Sequence, residues 1–418
     1  MMKKMLILGG GVSGKAAERL GNLLGFECCI VSDAPEINAE NMTADIPLIV
    51  ASPGVKPLVS PLWQAAKRRA DKGECEFISE LEFAFRHLPE SCRIAAITGT
   101  NGKTTTTELT THILKELGEN ARYAGNIGVP LADVAADILE KKSPADGIIV
   151  VEVSSFQLEL VQKFQPVAGA LTNLQSDHED RYAGGFAEYC QVKRNLLRNI
   201  PLENRVYGAS MQETFIRRVE IRKSMLYLDE KTVCDLTETR LNAPHNRENL
   251  QVAVELCARM TGIETEKLAG AIRSFSPGKH RIETVAEAGG ITYVNDSKAT
   301  NPASVIAALN SFPVKEVPYI ILLLGGLDKG MDFAPLAGFE KIVKHVVFYG
   351  ECAAKIEHVL GNCYAYSVCG MDFAEVMSQA KQHAVPGDTI LLSPACASMD
   401  MFKNYEERGN RFKELALV

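Results

Sequence analysis

Short apolar runs, several of them closed by glycine and followed by a helical pattern, recur along the whole chain, and this alternation leaves few folds open. A run that is apolar at every position is buried on both faces, so it belongs in a parallel sheet covered by its own crossover helices. The fold class is therefore α/β. Runs at 5–8, 27–32 and 48–51, with a helix over 15–24, form a first unit that closes near the turn-rich residues 88–91. Runs at 93–98, 147–153 and 168–172 form a second. Those at 319–324, 345–349 and 389–393 form a third, and their C-terminal ends carry Gly325-Gly326, Gly350 and Pro394, where an open parallel sheet places its ligand. Residues 205–240 are less regular, a helix covers 246–261, and Ser276-Pro277-Gly278 reads as a hinge. With 418 residues, 46% of them hydrophobic, the chain can bury two or three cores, so several domains are expected.

Charge narrows the partners. Against 52 Asp and Glu stand 45 Lys and Arg, a net charge of −7, which gives no footprint for nucleic acid or anionic lipid. No apolar run is long enough to span a membrane, and residues 6–8 are too few for a signal-peptide core, so a cytoplasmic protein without membrane insertion is expected. The 11 cysteines are odd in number and include no C-x-x-C, so the adjacent Cys28 and Cys29 read as reduced, buried small hydrophobes.

Three patterns carry chemistry. Gly9-Gly10-Gly11-Val12-Ser13-Gly14 lies between a strand and a helix, and Asp33 ends the next strand. Such glycines admit a diphosphate and such an acid meets a ribose hydroxyl, although tight strand-to-helix packing or a nicotinamide-dependent oxidoreductase would give the same pattern. Ile97-Thr98-Gly99-Thr100-Asn101-Gly102-Lys103-Thr104 is a stronger signal: a buried strand, a glycine turn, a lysine for β- and γ-phosphates and a hydroxyl for Mg²⁺. It is a variant, since the standard phosphate loop has glycine where Ile97 stands. Glu152 ends a neighbouring strand, where a carboxylate can complete the shell of Mg²⁺ or simply face solvent. His178, in Asp177-His178-Glu179-Asp180-Arg181-Tyr182, is a ligand or a structural histidine, and Lys193 reads by composition as a surface lysine.

Taken with Gly-Asn-Ile-Gly at 125–128, Glu-Val-Ser-Ser-Phe-Gln-Leu-Glu at 152–159, His-Asn-x-x-Asn at 245–249 and Asn-Asp-Ser-Lys-Ala-Thr-Asn at 295–301, the phosphate loop resembles the Mur ligase family. Within that family the run at 393–412 is similar to the D-glutamate-adding branch. The resemblance spans nearly the whole chain. It implies three domains: an N-terminal Rossmann-like domain over 1–91 for the uridine substrate, a central ATPase over 92–277 and a C-terminal Rossmann-like domain over 278–418 for the amino acid. It moves the first glycine motif from a dinucleotide to the uridine diphosphate of the substrate, with Val12, Ser13, Asp33, Gly54, Asn126, Ser154 and Gln157 as contacts. ATP would meet Gly99, Thr100, Asn101, Gly102, Lys103, Thr104 and Thr105, together with Asn246, Asn249, Arg281, Asp296 and Lys298. Thr104 and Glu152 would share one Mg²⁺, while His178 and a carbamylated Lys193 would serve a second. Lys103, Glu152, His178 and Lys193 would be the catalytic set. Thr300, Lys329, Ser398 and Tyr405 would hold D-glutamate. Two departures are visible: Asn173-Leu-Gln-Ser-Asp177 precedes the histidine where Thr or Pro and an acid are usual, and Tyr405 stands where Phe is frequent.

The implied reaction phosphorylates the carboxylate of UDP-N-acetylmuramoyl-L-alanine with ATP, giving an acyl phosphate that the amine of D-glutamate attacks in peptidoglycan synthesis. A monomer is expected. Folylpolyglutamate synthase shares the loop variant but should lack the first 90 residues; other Mur ligases, a dinucleotide oxidoreductase and a nucleotide sensor are the remaining alternatives.

Overall fold

The computed structural model describes residues 3–178, 181–211, 213–276 and 278–417. The chain divides into two compact units: Met1–Leu174 with Arg181–Asn242 and Asn246–Ser276, and Gln175–Asp180 with Ala243–His245 and Pro277–Val418. In the first unit, strands β1 (Lys3–Leu8), β2 (Phe26–Val31), β3 (Leu48–Ala51) and β4 (Glu76–Ser79) form a parallel sheet in the order β2-β1-β3-β4. A second parallel sheet, ordered β6-β7-β5-β8-β9, holds β5 (Cys92–Thr98), β6 (Ala121–Gly125), β7 (Gly147–Glu152), β8 (Ala168–Leu171) and β9 (Arg205–Tyr207). Residues 205–240, irregular by sequence, supply β9 and then an antiparallel meander of β10 (Val219–Arg222), β11 (Met225–Leu228) and β12 (Lys231–Asp235). Their strands are short and amphipathic, so they carry no continuous apolar run.

The second unit is built on one sheet of β13 (Glu283–Ala288), β14 (Ile291–Asn295), β15 (Ile320–Gly325), β16 (Val343–Tyr349), β17 (Tyr366–Val368) and β18 (Thr389–Ala395). Its order is β13-β14-β18-β15-β16-β17, parallel except for the β13–β14 hairpin. The twofold alternation of strand side chains divides its apolar residues into two cores. Ile320, Leu322 and Leu324 pack on one face with Val346 and Phe348, whereas Ile321 and Leu323 pack on the other with Val347 and Leu392. The same division runs through β5, with Ile94 and Ala96 on one side and Ala95 and Ile97 on the other.

The first helix starts at Val12, directly on the glycine loop, not at residue 15. Cys28 and Cys29 are not the buried pair the composition suggested: β2 is a sheet edge, Cys28 is half-buried and Cys29 exposed, and all the cysteines are free thiols. Pro277 of the expected hinge lies outside the described residues.

Candidate active site

Three strand ends meet at the first glycine loop. Gly9 N–H donates to Val31 O and Ser52 N–H to Leu8 O, and Ser52 Oγ donates to Gly9 O at 2.9 Å. Gly14 has no room for a side chain, because a Cβ there would sit 1.9 Å from Gly9 O. The helix Val12–Leu23 has no side-chain cap, which leaves its first N–H groups facing the loop, with Val12 exposed and Ser13 half-buried. Asp33 is exposed and accepts the N–H of Leu62 at 3.2 Å; Gly54 is exposed in the turn after β3.

The second loop follows β5. Gly102, at φ +81°, precedes the helix Lys103–Glu116, which again has no side-chain cap, and a Cβ on it would lie 2.1 Å from Asn249 Oδ1. Neighbouring residues fix the loop's shape. Asn173 accepts the N–H of Thr100 on its carbonyl and that of Asn101 on Oδ1, both at 2.9 Å, and Thr172 Oγ1 donates to Asn101 O at 2.7 Å. Thr100 Oγ1 shares a 3.0 Å hydrogen bond with Tyr189 OH. Asn101 to Thr104 are half-buried while Thr105 is buried, so the loop and the start of the helix present the open edge. Asn249 accepts from Thr106 Oγ1, and Asn246 is half-buried one turn earlier on the same helix.

Two lysines converge on one carbonyl. Lys103 Nζ donates to Gly99 O at 3.0 Å and Thr100 O at 2.8 Å, and Lys193 Nζ donates to the same Gly99 O at 2.7 Å. Lys193 is only 2% exposed and lies 4.8 Å from the Tyr189 ring centroid, so the expectation of a surface lysine from composition is overturned. The helix Gly185–Arg194 turns residues 189 and 193 to one face, and that face is the loop side.

Glu152 ends β7 beside the loop, in register with Ile97, and is buried. Its Oε1 accepts from Asn126 Nδ2 at 2.8 Å, while Oε2 is buried without a hydrogen-bond partner. A carboxylate oxygen left so is costly unless a cation reaches it, and a hard divalent ion fits this donor; Thr104 offers a hydroxyl in the first turn of the helix Lys103–Glu116. Among the described residues no group of three or more His, Cys, Asp or Glu could hold a metal, so other ligands would come from phosphate and water. Ser154 and Gln157 close a capping box on the short helix Ser155–Leu158, and Asn126 is spent on Glu152; all three side chains are engaged within the protein. His178 lies 3.6 Å from Asp177 in a segment grouped with the second unit, has φ +53°, and is followed by Glu179 and Asp180, which lie outside the described residues.

In the second unit the expected residues gather at the C-terminal ends of three adjacent strands, β14, β18 and β15. Asp296 follows β14; burial pushes its carboxyl up to about 7, against the Ser393 hydroxyl at 2.8 Å and the Ile282 N–H, which pull it down. Arg281, half-buried, adds a further pull on that carboxyl. Lys298 Nζ lies 3.9 Å from the Tyr405 ring centroid. Thr300 precedes the helix Pro302–Leu309, Lys329 is half-buried in the turn after β15, and Ser398 is buried just beyond β18. Sequence reasoning missed Arg408. Its guanidinium is fully buried and donates to Ser297 Oγ and O and to Cys396 O, welding the β14 and β18 ends together. The only signal for it was its place in the run at 393–412.

Residues 97–282 match the Mur ligase middle domain and residues 280–396 the glutamate ligase domain of Mur ligases. A UDP-N-acetylmuramoylalanine--D-glutamate ligase of Alkaliphilus metalliredigens is 36% identical, over 99% of this chain and 97% of its own. One of the same name from Pelotomaculum thermopropionicum matches with the same identity and coverage. Among solved structures, the UDP-N-acetylmuramate-alanine ligase of Thermotoga maritima superposes with a TM-score of 0.61, at 17% identity, covering 99% of both chains.

Proposed function

This chain belongs to the Mur ligase family, and from that premise we propose how its own residues carry out the family's reaction. It is an ATP-dependent ligase of peptidoglycan synthesis that adds D-glutamate to UDP-N-acetylmuramoyl-L-alanine. The observation that supports phosphoryl transfer at the second loop is the partnerless Glu152 oxygen beside an uncapped helix and two lysines.

A carboxylate cannot accept an amine directly, because oxide would have to leave; transfer of the ATP γ-phosphoryl group makes the leaving group phosphate. Bringing the substrate carboxylate to a polyphosphate forces two anions together. The N–H groups at the start of Lys103–Glu116 and the Lys103 ammonium bind the phosphates and spread the charge that develops on the transferred group. Mg²⁺, held by Glu152 and Thr104, with a carbamylated Lys193 offering oxygens to a second ion, would supply further charge neutralisation in phosphoryl transfer, and His178 is proposed as a further metal ligand. Asn126 holds Glu152 in place through Nδ2. The Gly9–Gly14 loop, Asp33 and Gly54 would anchor the uridine diphosphate, and Thr300, Lys329, Ser398 and Tyr405 would orient D-glutamate so that its amine reaches the acyl phosphate. Amide, ADP and phosphate are the products.

The domains proposed are 1–91, 92–277 and 278–418, and the protein is read as a cytoplasmic monomer. Among the described residues, no helix is long and apolar enough to cross a membrane. The test is phosphate release with ATP, Mg²⁺, UDP-N-acetylmuramoyl-L-alanine and a panel of amino acids. D-Glutamate alone should drive turnover. Equal rates with L-glutamate, or turnover with L-lysine or meso-diaminopimelate instead, would overturn the residue roles at the amino-acid site.

A further inference from the structure

Arg181 is used by none of the roles above, yet it is 5% exposed and bonded on every side. Its Nε donates to Glu159 Oε1 at 2.6 Å and its Nη2 to Glu159 Oε2 at 2.9 Å, while Nη2 also donates to the carbonyl of Val55 at 2.8 Å. The guanidinium carbon stands 4.1 Å from the centroid of the Phe156 ring. These partners belong to two different sheets of the first unit. Val55 is in the turn after β3, where its N–H bonds to Ser52 O and Ser52 Oγ in turn holds Gly9 O. Phe156 belongs to the short helix Ser155–Leu158 that Ser154 caps, two residues after Glu152, and Glu159 follows that helix directly.

We propose that Arg181 is a positioning residue that sets the spacing between the uridine-diphosphate cradle and the carboxylate-activating site, so that one long substrate can engage both. This rests on the reading that the uridine diphosphate lies at Gly9–Gly14 and the alanyl carboxylate near Glu152. The path runs from Gly9 through Ser52 and Val55 to Arg181, then through Glu159 and Phe156 to Ser154 and Glu152. A planar guanidinium held by a carboxylate in two bonds, by a carbonyl and by an aromatic face has little freedom, and lysine cannot reproduce that fork. A buried ion pair contributes little net stability but fixes geometry, which is what a spacing device needs.

The two sheets do not depend on Arg181 to stay together. Arg19 on the first helix pairs with Asp133 and Asp137 on the helix Leu131–Leu139 and with Glu140 just past its end, and Glu82 accepts backbone N–H groups from Gln162, Lys163 and Phe164. Loss of Arg181 therefore loosens the turn at Val55 without parting the layers. A substrate held at two ends loses affinity when its two half-sites lose their mutual spacing, whereas a fragment held at one end does not.

The experiment compares calorimetric binding of UDP-N-acetylmuramoyl-L-alanine, of UDP alone and of ATP to wild type, Arg181→Lys and Glu159→Gln. Wild type should bind the full substrate more tightly than UDP. In Arg181→Lys the full substrate should weaken by about tenfold or more, while UDP and ATP stay within about twofold of wild type. Glu159→Gln, which keeps the volume and one acceptor, should show the same pattern at reduced size and serves if the lysine variant does not fold. Equal weakening of UDP and full substrate would overturn the proposal, leaving Arg181 a local builder of the cradle. Unchanged binding of all three would overturn it as well. If wild type itself gains nothing from the muramoyl-alanine portion, the reading of the two half-sites fails, not the latch alone.

Discussion

Two ammonium groups meeting at the Gly99 carbonyl repel each other. Reaction of its neutral amine with CO₂ would turn it into an oxygen-bearing anion, attractive to Lys103 and suited to a hard metal ion. Lys193→Arg keeps the charge but cannot form a carbamate, so it should be inactive in the phosphate-release assay. Lys193→Ala should lose activity by about 10²–10³, as on removing one transition-state stabiliser, and added acetate should restore part of it. Near wild-type turnover by the arginine variant would show that charge alone is what this position supplies. The case also marks how far side-chain identity reaches. The glycine turn and helix start at Gly99–Thr104 are legible because their residues are contiguous. Lys193 is not, because its burial comes from the helix Gly185–Arg194 packing beside the loop, and Arg408 is not, because its partners lie at 297 and 396. Asn173, noted by sequence only as a departure, proves to brace Thr100 and Asn101.

Elements in this fold are joined by a few buried polar anchors. Glu82, on the helix Glu80–Phe85, accepts the N–H groups of Gln162, Lys163 and Phe164, each at 2.9 Å, and the Arg86 guanidinium at 2.6 Å. Glu82→Ala strands all of these donors and should cost about 3–5 kcal/mol in urea unfolding. A loss below about 1 kcal/mol would mean that water replaces the carboxylate. A second anchor is acid-sensitive. His345 on β16 stacks on His383 with ring centroids 3.8 Å apart, both rings bonding Ser367 Oγ, and burial, helped by His383 and Lys344, lowers its pKa to about 4. The folded state thus resists a proton that the unfolded state takes up near 6.5. Stability from the neutral ring is full above that pH and falls as pH drops toward 4, by up to about 3 kcal/mol. Glu80 and Asp296, raised to about 7 by burial, slope the other way, losing stability as pH rises from about 4 to 7. The measurement is therefore the difference between wild type and His345→Gln, which should shrink as pH falls from 6.5 to 4; a constant difference would mean that the ring pair accepts the proton freely. At this scale the fully apolar strands were legible from sequence. The amphipathic ones, β10 to β13, were not, because one face of each meets solvent and breaks the run.

Across the whole molecule, the contacts expected for the uridine substrate and for D-glutamate sort by unit, whereas those expected for ATP come from both. Val12, Ser13, Asp33, Gly54, Asn126, Ser154 and Gln157 all belong to the first unit, and Thr300, Lys329, Ser398 and Tyr405 to the second. A chain of separate cores need not unfold in one step, and a ligand stabilises only the part whose folded state it binds. The single tryptophan, Trp63, packs edge-on against Phe77 in the first sheet, so its fluorescence reports that unit alone, whereas circular dichroism reports both. With UDP-N-acetylmuramoyl-L-alanine at about 100 times its Kd, the stabilisation is about 2.7 kcal/mol, which should raise the fluorescence-detected midpoint by about 5–10 °C. The remaining dichroism transition should keep its midpoint. If both probes instead give one coincident transition that moves together with ligand, the two units unfold as a single cooperative block, and binding energy delivered to the uridine site is shared by the amino-acid site.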